Sequence, residues 1–383
     1  MDKVKIKDVC DILNGFAFKS DNYVDKGIRI IRIANVQKGY IEDSTPAFYP
    51  LNSTGLDKYM LDKGDLLISL TGNVGRVAIL QEEMLPAALN QRVACLRIKS
   101  DKISKGYLFH ILNSDFFERK CIQSAKGVAQ KNMSTEWLKN YKIPLYSTEQ
   151  QSEIVSVLDT LQSIICNRKY ELQMLDNLIK ARFVEMFVDK KYEKVNAGSI
   201  IKEMRNGVSP STSGNHHEKV LTLSAITQGK FDDKEWKYGL FADRPSAEKR
   251  ITEDSFYICR GNGNKLLVGM GVYSLENRPD LVFPDTVIAA RIDKEQITLP
   301  YLGIMWQQPE IRKQIEAGAR TTNGTYKINQ KVISRIEITC PPLNEQIKFS
   351  DFVAQIDKSK ATVQKALDET QLLFDSLMQQ YFG

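Results

Sequence analysis

The side chains best suited to chemistry in this chain are basic and amide residues that gather on turns. Arginine and lysine pair with phosphates and guanine edges, and asparagine and glutamine pair with adenine edges, so such groups are typical of a nucleic-acid-binding surface. In the first half of the chain the candidates are Arg29, Arg32, Asn35, Thr71, Asn73, Arg76, Gln91, Arg92, Gln130, Lys131 and Asn132. In the second half they are Arg205, Ser211, Arg260, Asn262, Lys265, Arg320, Thr322, Asn323, Tyr326 and Lys327. Taken singly, each is more often a solvated surface residue; the occurrence of one set in each half favours binding.

The sequence carries no motif that would indicate catalysis. The segment Gly261-Asn262-Gly263-Asn264-Lys265 lacks the spacing of a phosphate-binding loop. Glu235-Trp236-Lys237 lacks the further placed carboxylates that a nuclease metal site needs. His216 and His217 are interpreted as loop residues, because no spaced metal ligands accompany them. We therefore expect no catalytic residue, no metal site and no cofactor in this chain.

Composition is that of an ordinary globular protein. The 383 residues favour two or more domains, and the net charge of +6 permits nucleic-acid binding without requiring it. The six cysteines form no Cys-x-x-Cys pair, which disfavours a zinc site and a disulfide framework. The N-terminus does not resemble a signal peptide, and no apolar run is long enough to cross a bilayer. The cytoplasm is the predicted location.

Local patterns predict strands and helices that would hold the polar turns. β-branched, alternating runs predict strands at residues 28–33, 66–70, 77–80 and 93–98. The second of these strands ends in the turn Thr71-Gly72. Residues 4–13 and 107–121 have helical character, and residues 127–132 form a polar, basic loop. The combination predicts an α+β fold.

Two long heptad-patterned segments follow the two polar groups, one from Ile154 to Phe187 and one from Phe349 to Phe382. Steps of four and three define a seam, which favours helices wound on each other. The seam positions are Leu161, Ile165, Arg168, Leu172, Leu175, Ile179, Arg182 and Met186 in the first segment, and Ile356, Lys360, Val363, Leu367, Thr370, Phe374, Leu377 and Tyr381 in the second. We expect a mutual coiled coil of helices about 50 Å long. The alternative is that each helix packs on its own globular neighbour.

Caps and surface residues of these helices can also be predicted. Ser147 or Thr148 is expected to cap the first helix, with Gln150 or Gln151 closing a capping box, and Asn344 is expected to cap the second. Several apolar residues lie off the seams and are expected to be exposed for partner binding. These are Val157, Leu178, Phe183, Phe352 and Leu373.

The chain repeats itself at an offset of 195 residues. Gln151 matches Gln346 and Phe187 matches Phe382. The segment 287–292 resembles 93–98, and Tyr301-Leu302 resembles Tyr107-Leu108. The order is therefore globule, helix, globule, helix, which indicates duplication of one module. The predicted divisions are residues 1–142, 143–190, 191–337 and 338–383.

The order of short motifs resembles the specificity subunit of type I restriction-modification systems, over essentially the whole chain. The residues that carry this resemblance are Ile143-Pro144-Leu145 with Glu149-Gln150-Gln151, Pro341-Pro342-Leu343 with Glu345-Gln346, the segments 27–33 and 66–79, and Gln130-Lys131-Asn132-Met133-Ser134. The second globule departs more, since Arg260-Gly261-Asn262-Gly263 stands where Leu70-Thr71-Gly72-Asn73 stands in the first.

The resemblance implies two target recognition domains, residues 1–142 and 191–337, that each read one half of a split double-stranded DNA sequence. The long helices would pack antiparallel as conserved spacers and would dock two methyltransferase (modification) subunits. S-adenosylmethionine, ATP and Mg²⁺ would be held by partner subunits, which include restriction subunits with translocase activity. This chain would itself have no enzymatic activity.

Two other classes of function compete with this interpretation. A complete DNA methyltransferase or nuclease would need the catalytic motifs that the sequence lacks. A coiled-coil scaffold without a nucleic-acid role would leave the duplicated basic turns unexplained.

Overall fold

The computed structural model describes residues 2–125, 131–188, 190–322 and 324–383, without the side chain of Thr322. The chain divides into two compact units. The first comprises Met1–Lys169 with Gln364–Gly383, and the second comprises Tyr170–Val363. The division falls within both long helices, so each unit contains part of each helix. The predicted mixture of helices and sheets is confirmed.

The first unit begins with strands and ends with helices. Its strands are β1 (Asp2–Lys5), β2 (Cys10–Asn14), β3 (Ile28–Ile31), β4 (Phe48–Tyr49), β5 (Met60–Leu61), β6 (Leu66–Ser69), β7 (Val77–Ile79), β8 (Ala87–Leu89), β9 (Val93–Ile98) and β10 (Lys142–Leu145). Its helices are α1 (Ile6–Val9), α2 (Lys105–Leu112), α3 (Asp115–Ser124), α4 (Thr135–Asn140) and the first part of α5 (Thr148–Phe183). Short 3₁₀ turns lie at Ser20–Asn22, Asp57–Tyr59 and Glu82–Met84.

Two four-stranded sheets build this unit. One has the order β2-β9-β6-β7 and is antiparallel; the other has the order β4-β3-β8-β5, with β3 and β8 parallel. Along β6, Leu66 and Ile68 belong to a core shared with the helices, and Leu67 belongs to a core shared with the other sheet. Because successive strand residues face opposite sides, this continuous apolar run is buried on both faces. The unit is therefore layered as helices, sheet and sheet.

The second unit repeats this plan. Its strands are β11 (Lys194–Asn196), β12 (Ile201–Asn206), β13 (His216–Leu221), β14 (Trp236–Phe241), β15 (Arg250–Ile251), β16 (Ser255–Cys259), β17 (Gly261–Asn262), β18 (Gly271–Tyr273), β19 (Arg278–Val282), β20 (Val287–Ile292), β21 (Arg320–Thr322), β22 (Thr325–Lys327) and β23 (Glu337–Thr339). Its helices are α6 (Ser224–Thr227), α7 (Leu299–Met305), α8 (Pro309–Gly318), α9 (Gln330–Ser334) and the first part of α10 (Leu343–Phe382), with 3₁₀ turns at Ala197–Ser199, Ala247–Lys249 and Lys265–Leu267.

The sheet orders show the duplication directly. The order β12-β20-β16-β18 corresponds to β2-β9-β6-β7, and β14-β13-β19-β15 corresponds to β4-β3-β8-β5. In both units the second sheet contains the same parallel pair, β13 with β19 here and β3 with β8 in the first unit. The pairs β1-β10 and β11-β23 also correspond, and the second unit contains the small sheet β17-β22-β21.

Three local predictions are wrong. Residues 4–13 are not a helix: tertiary pairing of β1 with β10 and of β2 with β9 leaves only the single turn of α1 between them. Residues 107–121 are two helices, because the Ser114 side chain accepts a hydrogen bond from the amide of Phe117 at 3.1 Å and starts α3. His216 and His217 lie in β13, where pairing with β14 extends the chain.

The two long helices differ in how their first amides are hydrogen-bonded. Ser147 and Gln150 form the predicted capping box: the Ser147 hydroxyl accepts from the Gln150 amide at 3.3 Å, and the Gln150 side chain accepts from the Ser147 amide at 3.2 Å. Asn344 is not the N-cap of α10, because the helix begins one residue earlier, at Leu343. The Pro342 carbonyl accepts the amides of Glu345 and Gln346 at 3.0 and 3.3 Å, and the Asn344 side chain accepts from the adjacent Glu345 amide at 3.0 Å. A π turn, Val184–Val188, follows α5.

The helices are antiparallel within each unit, and the seam is confirmed by burial. In the first unit, Leu158 near the start of α5 and Phe382 at the end of α10 share one core. In the second unit, Phe183 at the end of α5 and Phe349 near the start of α10 share another. The predicted seam positions are all buried or half-buried.

The polar residues that interrupt the seams contact each other across the helices. The Arg168 guanidinium donates to the Ala366 carbonyl and to the Thr370 hydroxyl in the first unit. In the second unit the Lys360 ammonium donates to Asp176 at 2.6 Å. Such contacts fit one alignment of the two helices, so they specify register more than they add stability.

The prediction that the apolar residues off the seams are exposed is only partly correct. Val157, Leu178 and Leu373 are exposed as expected. Phe183 is 2% exposed, because it packs against Tyr301 and Phe349 with ring centroids 5.6 and 5.7 Å apart. Phe352 is half-buried under the Arg182 guanidinium, 5.8 Å from its ring centroid. Aromatic residues at the helix end therefore fill a core and do not form a free surface.

Replacing Phe183 with Ala should destabilise the second unit by about 3–5 kcal/mol, since it leaves a cavity between Tyr301 and Phe349. Leu178→Ala, on the exposed side of the same helix, is the matched control and should change stability by no more than about 0.5 kcal/mol. Denaturant unfolding followed by circular dichroism measures both. Equal effects of the two substitutions would contradict the packing described for Phe183.

Candidate nucleic-acid interface

In the first unit, three chain segments meet where β6 ends and β9 begins. The Leu70 amide donates to the Arg92 carbonyl at 2.9 Å, and the Met133 amide donates to the Leu70 carbonyl at 2.8 Å. Thr71 forms a β-bridge with Asn132. Thr71, Arg92, Lys131 and Asn132 are thereby brought together, and we call them the first loop cluster.

The turn after Thr71 depends on glycine. Gly72 has a φ of 68°, in the left-handed region, and its amide donates to the Lys131 carbonyl at 2.8 Å. Asn73, next to Gly72 in this turn, is exposed. Gln91, two residues before β9, is also exposed. The backbone bonds fix the loops, so the side chains are presented from a defined frame.

The second unit builds the equivalent cluster in the equivalent place. The Arg260 amide donates to the Thr286 carbonyl, and the Ile328 amide donates to the Arg260 carbonyl, both at 2.8 Å. Gly261 and Asn262 of β17 pair with Lys327 and Tyr326 of β22. Arg260, Asn262, Arg320, Tyr326 and Lys327 form what we call the second loop cluster.

The hairpin β21-β22 sorts its side chains by face. Arg320 pairs with Lys327, and Thr321 pairs with Tyr326, so the two cations share one face. Tyr326 is half-buried and packs against the helix-side core, whereas Arg320 and Lys327 are exposed. The paired strand contributes only Gly261 opposite Lys327, which leaves the cationic face open.

Cations of the two clusters are available to an external anion. Arg92 and Lys131 in the first unit and Arg320 and Lys327 in the second are exposed. In the part of the chain that the structure describes, none of these four has a carboxylate within 4.0 Å. Lys265 is also exposed, and its carbonyl accepts from Arg312 at 3.2 Å.

Other candidates in the first unit have partners inside the protein. Arg29 forms an ion pair with Asp43 and lies over the Phe48 ring, 4.9 Å from its centroid. The Arg32 guanidinium donates to the Thr45 carbonyl at 2.5 Å. Asn35 is 3% exposed, and its side chain accepts from the Arg32 amide at 2.9 Å. These contacts order the loop between β3 and β4.

Arg76 is also engaged, because its guanidinium donates to the side chain of Gln37. In the second unit Arg205 bonds Glu203 and forms an ion pair with Glu248 at 3.0 Å. The hydrogen bond from Arg205 lowers the pKa of Glu203 below its usual value. Arg260 donates to the Asp285 carbonyl at 3.1 Å. A role of these arginines in binding stays a prediction.

Four further candidates complete the set. The Ser211 hydroxyl accepts from the Ser213 amide at 3.0 Å, and Ser211 forms a β-bridge with Leu240, away from the loop cluster. Gln130, Asn323 and the side chain of Thr322 lie outside the described residues.

The acidic and amide partners of these arginines were missed from the sequence. Asp43 is separated from Arg29 by 14 residues and Glu248 from Arg205 by 43 residues, and no periodic pattern connects such pairs. The segment after β3 contains Glu42 and Asp43, whereas residues 207–217 after β12 contain no acidic residue. A cation next to a predicted strand, such as Arg92 immediately before β9, could be identified from the strand pattern.

No metal or membrane feature accompanies the clusters. Within residues 2–125, 131–188, 190–322 and 324–383, no group of three or more His, Cys, Asp or Glu side chains is placed to hold a metal ion. None of the helices in these ranges is long and apolar enough to cross a membrane.

Comparison with known proteins finds similar sequences of one kind. The sequence model of a protein family, the type I restriction modification DNA specificity domain, matches residues 1–174 of this chain. The EcoKI specificity subunit of Escherichia coli is 23% identical over 401 residues, covering 98% of this chain and 86% of that protein. Over most of its length the chain is similar to specificity subunits of type I restriction-modification systems.

Two further similarities concern half of the chain and the fold respectively. The MjaVIII specificity subunit of Methanocaldococcus jannaschii is 32% identical over 184 residues, which cover 46% of this chain and 43% of the relative. The crystal structure of the type I restriction-modification S subunit from M. genitalium shares the fold, with a TM-score of 0.59 at 14% identity, covering 100% of this chain and 96% of the other. The resemblance inferred from the motif order is confirmed.

Proposed function

We propose that this chain is the specificity subunit of a type I restriction-modification complex and recognises the DNA sequence for it, and that each globular domain reads one half of a bipartite target. The observation that carries the proposal is the repetition of one loop cluster at the same strand ends of two sheets with the same strand order. A single reader would need one cluster. Two clusters with different side chains on the same frame suit two different half-sites.

The proposed target recognition domains are residues 1–142 and 191–337, with residues 143–190 and 338–383 as helical spacers. The DNA-facing residues that the contacts favour are the exposed ones: Asn73, Gln91, Arg92, Lys131 and Asn132 in the first domain, and Lys265, Arg320 and Lys327 in the second. Arg29, Asn35 and Arg205 are favoured less, because their polar groups already bond inside the protein. Binding by the remaining candidates is also proposed.

The chemistry of the two clusters suits duplex DNA. Exposed lysines and arginines attract phosphates and release counterions, and a two-stranded ribbon such as β21-β22 fits a major groove about 12 Å wide. Amide side chains such as Asn73 and Gln91 can pair with adenine edges. The cationic face of the ribbon therefore supports contact with the groove edge or its phosphates.

The helices are proposed as spacers and docking sites. At 36 and 40 residues, α5 and α10 are about 54 and 60 Å long, which exceeds one duplex turn of about 34 Å. Leu178 on α5 and Leu373 on α10 occupy equivalent positions of the repeat and are 46% and 50% exposed. Two equivalent exposed leucines suit two copies of one partner, which we propose to be the methyltransferase subunit.

Methyl transfer and cleavage are proposed to reside on partner subunits in the cytoplasm. S-adenosylmethionine, ATP and Mg²⁺ would bind the methyltransferase and restriction or translocase subunits, and this chain would hold none of them. A complete methyltransferase or nuclease would need a catalytic constellation, and the sequence offers no motif for one. A scaffold without DNA would not need exposed cations on two matched frames.

Exchanging residues 191–337 for the corresponding domain of a relative should change one half of the methylated sequence and leave the other half intact. The reason is that each loop cluster is built entirely within its own unit. Sequencing the methylated sites in a host that carries the complete system measures the outcome, and exchange of residues 1–142 is the reciprocal control. A change in both halves, or in neither, would refute modular recognition.

Arg320→Ala and Lys327→Ala should weaken DNA binding by the assembled complex without altering the first half-site. A base contact should cost about 1–3 kcal/mol and relax one target position, whereas a phosphate contact should lower affinity evenly and reduce the salt slope by about 1. Lys313→Ala, an exposed lysine on α8, is the control. Unchanged affinity and salt dependence in both variants would exclude the ribbon from the interface.

Leu178→Glu and Leu373→Glu should each remove one methyltransferase subunit, and the double variant should remove both. A charge in the centre of an apolar contact costs about 2 kcal/mol or more. Native mass spectrometry of the co-expressed complex gives the stoichiometry directly. Gln173→Glu and Gln380→Glu introduce the same charge at other exposed helix positions. Full stoichiometry in the double variant would refute this docking surface.

A further inference from the structure

Two equivalent glutamines at the starts of the long helices are completely buried. Gln151 on α5 and Gln346 on α10 are both 0% exposed and are 195 residues apart, the offset of the repeat. A buried amide is costly unless its donors and acceptor are satisfied. An apolar side chain at either position would avoid that cost, but it would leave the surrounding backbone groups without hydrogen-bond partners.

The Gln151 amide joins the globule to the helix entry. Its oxygen accepts from the Ser104 amide at 2.9 Å, and its nitrogen donates to the carbonyls of Lys102 and Tyr146 at 2.8 and 3.0 Å. Ser104 is the N-cap of α2, which packs on the sheet that carries the first loop cluster. One planar group therefore ties the turn before α2 to the segment before α5.

Gln346 makes the same set of bonds in the second unit. Its oxygen accepts from the Thr298 amide at 2.9 Å, and its nitrogen donates to the carbonyls of Gln296 and Pro341 at 3.1 and 2.7 Å. Thr298 is the N-cap of α7, the counterpart of α2. The repetition of all three bonds in two units of different sequence shows that the network is a feature of the module.

A second tether runs beside each glutamine. The Tyr107 hydroxyl donates to the Pro144 carbonyl at 3.1 Å, and the Tyr301 hydroxyl donates to the Thr339 carbonyl at 2.8 Å. Hydrogen bonds are directional, whereas apolar contacts allow sliding and tilting. The bonds of the glutamine and the tyrosine therefore favour one angle between the globule and the start of its helix.

We propose that Gln151 and Gln346 are positioning residues that orient each target recognition domain on its helix and so restrict the gap between the two half-sites. The inference rests on the proposed function. A globule of about 140 residues has a radius of gyration of about 14 Å, so a tilt of about 10° at its foot moves the far side by about 5 Å. That displacement exceeds the 3.4 Å step between base pairs. We call the three hydrogen bonds of each glutamine the amide clamp. Loss of the clamp widens the range of gap lengths that the complex accepts and leaves the base contacts of each domain in place.

The test uses the complete complex with its methyltransferase subunits and a series of duplexes that differ only in the number of base pairs between the half-sites. The variants are Gln151→Met and Gln346→Met, which keep the side-chain volume and remove the three bonds. The preference for the native gap over gaps one base pair shorter or longer should fall about five- to tenfold, the effect of one to two net hydrogen bonds. Discrimination against a substituted base inside either half-site should remain unchanged.

Controls separate orientation from stability. Leu158→Ala truncates a fully buried residue two turns further along α5 and makes no clamp contact, so it should lower the melting temperature without changing gap preference. Gln162→Ala, exposed on the same helix, should change neither. If Gln151→Met fails to assemble, Tyr107→Phe removes the second tether without vacating volume, and it should relax the gap preference in the same direction.

The outcomes distinguish this inference from the proposed function. A wild-type complex that shows no bipartite recognition would overturn the proposed function itself. A wild-type complex with a fixed gap, together with glutamine and tyrosine variants that keep the same gap preference, would overturn only the positioning role. Equal relaxation by Leu158→Ala would assign the effect to stability and also overturn it.

Discussion

The structure depends on two hydrophobic cores that are each completed by residues of both long helices. In each unit, the helix-side face of the central sheet is covered by the start of one long helix and the end of the other. Phe382 of α10 lies against Tyr107 in the first unit, with ring centroids 5.7 Å apart. Phe187, at the end of the π turn, lies against Tyr301 in the second, 4.9 Å apart. Neither globule completes its core with its own following helix alone.

The contribution of each long helix to both cores explains why the two helices must be long and antiparallel. A helix that begins in one core and ends in the other cannot be shortened without opening one of them. Burial of the central tyrosines is deep enough to raise the pKa of both Tyr107 and Tyr301, while their hydroxyls still find backbone acceptors. The polar contacts of Arg168 with Thr370 and of Lys360 with Asp176 then select one helix alignment inside each unit.

Much of this architecture was predictable from the sequence because it follows periodic patterns. The heptad seams, the strand at 93–98 and the offset that matches Gln151 with Gln346 can all be found without coordinates. Residues 4–13 were assigned incorrectly, since their pairing partners β10 and β9 lie far away in sequence. Phe183 was expected on the surface for a related reason: a heptad describes one face of a helix, whereas the core of the second unit contacts a wider arc.

The candidate interface was likewise predictable only where local sequence determines the surroundings of a side chain. Cations in short turns next to predicted strands, such as Arg92 immediately before β9, are exposed as their position suggests. Arg29 and Arg205 looked equivalent in sequence, but acidic residues from distant turns occupy their guanidinium groups. Residue type therefore identified the pool of candidates, and only tertiary contacts separated the free cations from the structural ones.

The closure by Phe382 also has a consequence for synthesis on the ribosome. The first unit is the first to emerge, yet its core includes a residue from the last turn of α10. Tyr107 and its neighbours therefore keep an incompletely covered apolar face until Phe382 has been synthesised and has left the exit tunnel. The second unit needs no residue beyond Val363, which emerges before Phe382. The second unit can therefore close its core before the first, which reverses the usual order in which domains fold along a nascent chain.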